Sequence, residues 1–121
     1  MYLKKVFRFD AAHNLQCYHG KCEALHGHTY RLVVTVRGEP DHEGMVIDFA
    51  ELKSLVKEKV IDRLDHSYIN DIIPQPTAEN ISKWAWEQIA ASLGDRGVCL
   101  QSIEVWETET SGVVITGDDM S

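Results

Sequence analysis

Between His13 and His28 lie four of the chain's six histidines and two of its three cysteines. Imidazole nitrogens and thiolate sulfurs are the ligands that a borderline-soft divalent ion such as zinc prefers, and a catalytic zinc usually takes three protein ligands and keeps one position open. The stretch holds more candidates than one ion needs. Some of these side chains are therefore expected to bind metal and others to act beside it.

The flanking segments decide how the candidates meet. Residues 3 to 13 alternate, so that Phe7, Phe9, Ala11 and His13 share one strand face, with Arg8 and Asp10 on the other. Residues 26 to 37 repeat the pattern, and His26 and His28 open an apolar face continued by Tyr30, Leu32, Val34 and Val36. Antiparallel pairing brings the end of the first strand beside the start of the second, so His13 meets His26 and His28 on the same side. A His-x-His pair on one strand face with a third imidazole at the neighbouring strand's end is ligand geometry.

The intervening loop carries Cys17, His19 and Cys22 over that convergence. Cys22, four residues before His26, is near enough to reach the open side of an ion, where a cation would lower its thiol pKa. A structural site closed by Cys17 and Cys22 with two histidines competes with this arrangement, although the paired C-x-x-C spacing of common zinc modules is missing. Cys99, in a strand-like stretch, reads as a small buried hydrophobe.

The rest of the chain supplies a scaffold. Gly38 to Gly44 is turn chemistry, Asp48 with Glu51 resembles a capping box, and Phe49, Leu52, Leu55, Val56, Val60 and Leu64 recur at helical spacing. A helix is expected over about 49–63, ending at Leu64-Asp65-His66. Prolines at 74 and 76 preclude a continuous helix there, Thr77 sits where an N-cap belongs, and Ile81, Trp84, Ala85, Gln88 and Ile89 give a second amphipathic helix stopping near Gly94. Val98 to Thr108 and Val113 to Thr116 read as two last strands around a Thr110-Ser111-Gly112 turn. The order ββααββ implies an α+β domain, a four-stranded antiparallel sheet with both helices on one face. The other face is too polar for a second core, and an assembly would enclose it.

Two features stay open at this level. Asp65-His66 is either a helix-terminal cation with a solvated neighbour or a functional pair, depending on whether the fold brings it to the metal. Glu107 continues an apolar strand face, so it either accepts two hydrogen bonds from a ligand or marks a solvated strand end.

With 121 residues, 44% hydrophobic and 26% charged, residues 1–121 read as a single globular domain. The charged, alternating N-terminus has no apolar h-region, and nowhere do eighteen apolar residues run together, so a soluble cytoplasmic protein without a membrane partner is expected. An odd cysteine count points to metal-binding or reactive thiols in a reducing compartment, with a Cys17–Cys22 bridge as the alternative. A net charge of -7 argues against non-specific nucleic-acid binding. The acidic tail 117–121 is expected to be solvated and poorly ordered.

The motifs Phe9-Asp10-Ala11-Ala12-His13, Cys22-Glu23-Ala24-Leu25-His26-Gly27-His28, Asp48-Phe49, Leu64-Asp65-His66, Pro76-Thr77-Ala78-Glu79-Asn80 and Glu107-Thr108 together make the chain resemble the 6-pyruvoyltetrahydropterin synthase family. The three residues between Cys22 and His26 fit its bacterial 6-carboxytetrahydropterin synthase branch. The resemblance implies that His13, His26 and His28 bind one Zn2+ per subunit, that Cys22 is the catalytic thiol, and that Asp65 and His66 complete a proton relay. It implies further that Glu107 anchors a pterin and that Thr77 lines the pterin pocket, although N-capping explains Thr77 too. The implied fold is the tunnelling fold, with active sites between the subunits of a homohexamer built as a dimer of trimers. The implied substrate is 7,8-dihydroneopterin triphosphate. No family role follows for Cys17 or His19.

Overall fold

The computed structural model describes residues 1–15 and 24–120. The two alternating runs form β1 (Tyr2–His13) and β2 (His26–Arg37), paired antiparallel from Tyr2 opposite Arg37 to His13 opposite His26. The expected apolar face is the buried one: Phe9, Ala11 and His13 lie beside Tyr30, Leu32, Val34 and Val36. Phe9 and Tyr30 stack with ring centroids 4.9 Å apart.

β4 (Cys99–Trp106) pairs antiparallel with β2, and β5 (Gly112–Thr116) pairs antiparallel with β4. A fifth strand, β3 (Ser67–Tyr68), lies parallel to β1 opposite Ala11 and Ala12, so the sheet runs β3-β1-β2-β4-β5 and is mixed. This corrects the four-stranded antiparallel expectation. Two residues are too few to carry an alternation, and what adds them to the sheet is backbone pairing that composition does not encode.

The first helical run is longer and less regular than a single α-helix. α1 (Phe49–Val56) passes into a π turn, Lys57–Ile61, and then α2 (Asp62–Leu64). Val56, Val60 and Leu64 recur every four residues, a step that drifts about 40° around an α-helix of 3.6 residues per turn. The wider π turn takes up that drift, and all three side chains are fully buried. Phe49, expected in the core, is exposed, and Ile47 just before the helix is buried instead. Asp48 caps through a bond from the Ala50 amide rather than as half of a capping box, and Glu51 instead accepts from Arg96 Nε at 2.7 Å.

α3 (Ala78–Leu93) begins at Thr77, whose Oγ1 accepts from the Asn80 amide at 3.1 Å, and ends at Gly94 with a φ of 53°. It lies over β4 and β5 and buries Ile81, Ala85, Ile89 and Leu93 at helical spacing. Ile69 and Ile73, from the connection before it, also join the core. On the sheet's opposite face Lys4 and Glu104 pair at 3.6 Å across the central strand, shielding Val33 and Thr35.

Two smaller expectations are corrected, the tail's only in part, since residues 117–119 are exposed as expected. Cys99 is exposed at the start of β4, because its side chain falls at the sheet's end rather than among the core residues Ile103 and Val105. The tail is folded over Gly117–Met120 as a 3-10 turn, held by a bond from the Thr116 amide to the Asp119 carboxylate.

Candidate metal centre

The full-length β1–β2 register delivers the three histidines. His13 is buried, His26 and His28 are partly buried, and one ligand nitrogen from each lies within 4.8 Å of the others. Each pair of rings meets edge to face, with centroids 4.7 to 5.2 Å apart.

Hydrogen bonds settle which nitrogens face the centre. His13 Nδ1 lies 2.8 Å from the Pro76 carbonyl and His26 Nδ1 lies 2.9 Å from the Ala24 carbonyl. A carbonyl oxygen only accepts, so both Nδ1 atoms carry protons, and a neutral ring at either position presents Nε2 as its lone pair. Those two Nε2 atoms are 3.2 Å apart. Glu107 Oε1 adds further electron density, 3.5 Å from His13 Nε2 and 3.9 Å from His28 Nε2. Lone pairs facing one another beside a carboxylate repel unless a proton or a metal cation lies among them. The donor set therefore fits a divalent ion, and the carbonyls that fix the tautomers are the outer partners that metal-binding imidazoles require.

Sequence reading missed the Pro76 carbonyl, and a backbone oxygen leaves no residue-type signal. Its position depends on the start of α3: Thr77 caps the helix, the Thr77 amide bonds the Gln75 carbonyl at 2.9 Å, and Asn80 Nδ2 reaches the same oxygen at 2.8 Å. Thr77 thus has a structural task one residue from the carbonyl that orients His13. Glu107 sits just beyond β4, its amide bonded to the Ser111 carbonyl, with its carboxylate turned to the histidines.

Asp65 and His66 follow α2 at the sheet edge. Asp65 Oδ1 accepts from the Asp10 amide at 2.9 Å, and Oδ2 lies 3.5 Å from His66 Nε2. His66 adopts a φ of 58°, the left-handed region, and its amide donates to the Asp10 carbonyl at 2.6 Å. Its side chain is largely exposed, and it shares with His28, Asp10 and Thr29 a cleft of about 530 Å³. The pairings Ser67–Ala11–His28 put these groups two strands apart, about 10 Å.

Cys17, His19 and Cys22 lie outside the described residues. The entrance to their loop is held: the Asn14 amide donates to Asn70 Oδ1, Asn70 Nδ2 returns a bond to the Asn14 carbonyl, and Tyr68 donates to Asn14 Oδ1 at 2.6 Å.

A mixed sheet with helices on one face, and three imidazoles converging where its first two strands meet, define the class as a tunnelling-fold domain with a candidate metal centre. The chain belongs to the 6-pyruvoyl tetrahydropterin synthase family, which it matches over residues 2–118. It is 36% identical to the 6-carboxy-5,6,7,8-tetrahydropterin synthase of Haemophilus influenzae, covering 90% of this chain and 94% of that one. It is 43% identical to the dihydroneopterin monophosphate aldolase of Pyrococcus furiosus, covering 87% and 88%. Among solved structures, the 6-pyruvoyl tetrahydropterin synthase of Caenorhabditis elegans superposes with a TM-score of 0.81 at 25% identity, over 97% of this chain and 95% of that one. Among the described residues, no helix is long and apolar enough to cross a membrane.

Proposed function

We propose that this chain, as one domain over residues 1–121, is a zinc-dependent lyase that converts 7,8-dihydroneopterin triphosphate and water to 6-carboxy-5,6,7,8-tetrahydropterin, acetaldehyde and triphosphate, in the cytoplasmic pathway to queuosine. The observation that carries the reading is the convergence of three imidazoles, with His13 and His26 Nε2 3.2 Å apart and Glu107 beside them. The names of the Haemophilus influenzae and Pyrococcus furiosus relatives support pterin chemistry, and the second names a dihydroneopterin substrate.

His13, His26 and His28 would hold the ion, with Pro76 and Ala24 carbonyls fixing two of the rings. Zinc supplies Lewis-acid polarisation and acidification of substrate hydroxyls. Cys22, as thiolate, removes a proton from the substrate side chain. His66, aligned by Asp65, is the second proton-transfer group, and the Asp10 amide keeps Asp65 in place. Glu107 accepts two N–H bonds from the pterin, ring N–H and 2-amino group, as a bidentate pair. Thr77 lines the pterin pocket in addition to capping α3. In a homohexamer, a dimer of trimers, Asp65 and His66 of one subunit would meet Cys22 of another.

Incubating zinc-loaded protein with dihydroneopterin triphosphate and analysing the products by mass tests the reading. Acetaldehyde with the carboxy product is expected, and absence of turnover would sink the proposal. Formation of 6-pyruvoyltetrahydropterin without acetaldehyde would instead support the sister reaction, which the name of the Caenorhabditis elegans structure favours. Cys22→Ala should retain zinc and lose turnover by several orders of magnitude, whereas His26→Ala should lose the metal. Loss of metal from Cys22→Ala, with sulfur ligands in the zinc-edge absorption spectrum, would favour a non-enzymatic structural site. Analytical ultracentrifugation tests the hexamer.

A further inference from the structure

On the sheet face opposite the histidines, the pairings align Arg8, Arg31, Trp106 and Gly112 in one row across β1, β2, β4 and β5. Gly112 is there because a Cβ on it would come within 2.3 Å of the Trp106 ring, so the indole lies directly against the β5 backbone. Trp106 Nε1 donates to Glu104 Oε1 at 3.2 Å, which fixes the ring in its plane. The Arg31 guanidinium then sits over that ring, 5.0 Å from its centroid, with Nε buried and without a hydrogen-bond partner. Arg31 is thus a pre-positioned cation.

Arg8 stands directly opposite it. Like charges at opposed positions destabilise a strand pair, and a chain with 19 acidic against 12 basic residues has carboxylates to spare. Yet among the described residues neither guanidinium forms an ion pair, whereas Lys4 and Arg96 both do. The two arginines line a groove of about 360 Å³ with Thr29, Trp106, Thr108 and Glu109. Thr108 Oγ1 accepts from the Thr110 and Ser111 amides, which leaves its hydroxyl proton free to donate outward. Thr29 already donates to Asp10, so it contributes only bulk. Glu109, exposed at the rim, is the acidic group among the lining residues, while the carboxylates of Asp10 and Glu104 on the same face are each bonded to a lining side chain, Thr29 and Trp106.

We infer that this groove is a second ligand site, separate from the metal centre, that binds a phosphate oxyanion between Arg8 and Arg31. Two guanidinium forks offer paired donors to tetrahedral oxyanions, and two fixed positive charges favour a dianion over a monocarboxylate. The site lies across the sheet from the imidazoles, and the inference does not depend on the reaction proposed above.

Calorimetric titration of the zinc-loaded full chain with inorganic phosphate, at constant ionic strength, tests the inference, with sodium acetate as the comparison ligand. One phosphate per chain is expected, bound at least tenfold more tightly than acetate. Arg8→Gln removes an exposed side chain, and it should weaken phosphate binding roughly ten- to a hundredfold, the range for a lost charged hydrogen bond, with zinc content unchanged. Glu109→Gln should tighten binding several-fold. Binding that is equal in wild type, Arg8→Gln and Glu109→Gln would place the phosphate elsewhere, on the zinc for instance, and overturn the inference. So would absence of phosphate binding or no preference over acetate.

Discussion

A buried imidazole whose second nitrogen is already bonded has one job left for its first. His13 is in that position, and its place as a candidate ligand was legible because strand alternation puts it at the end of an apolar face. The fixing of its tautomer was not legible, since the partner is a carbonyl 63 residues away in sequence. His66 makes the opposite case. The sequence shows only an aspartate-histidine pair at a helix end, whereas the structure holds the histidine in the left-handed region. An L-residue there costs about 1–2 kcal/mol, and glycine returns roughly half to all of 1 kcal/mol through its freer unfolded chain. His66→Gly should therefore leave stability unchanged or raise it by up to about 1.5 kcal/mol in urea unfolding, while abolishing turnover if the imidazole transfers protons. Marked destabilisation would show that the side chain is held for structural reasons.

Among the elements, β1, β2, α3 and the two last strands were readable because each carries a full period of apolar residues. β3 has no such period, and the π turn is invisible because its apolar positions also fit an ordinary helix on paper. The register of β1 on β2 assembles the imidazoles, but α3 contributes to the centre through its first turn. Thr77→Ala should cost about 1 kcal/mol by loss of the cap, and it should weaken zinc affinity up to about tenfold by loosening Pro76, as changes to outer-sphere partners do. Thr77→Ser should restore both. A rise in KM that serine leaves uncorrected, with stability and zinc affinity intact, would mean that the threonine acts on substrate alone.

For the whole molecule, the two faces of the sheet carry different business: helices and imidazoles on one, arginines and a tryptophan on the other. That second face also exposes Val6 and Val114, apolar side chains that suit the enclosed surface of the proposed hexamer. The Arg8–Arg31 row was not legible in the sequence, because only the cross-strand register reveals it. Metal occupancy should act on the chain as a whole. Zinc at one hundred times its dissociation constant should stabilise the folded state by about 2.7 kcal/mol if it does not bind the unfolded chain. Thermal unfolding with zinc and with excess chelator measures this, and the difference should vanish in His26→Ala.

The bond from His13 Nδ1 to the Pro76 carbonyl ties the centre to a distant element, so an ion arriving at the imidazoles also acts as a latch on the first turn of α3. Backbone amides near Asn80 and Ile81 should then exchange with deuterium more slowly when zinc is present, even though neither residue touches the ion.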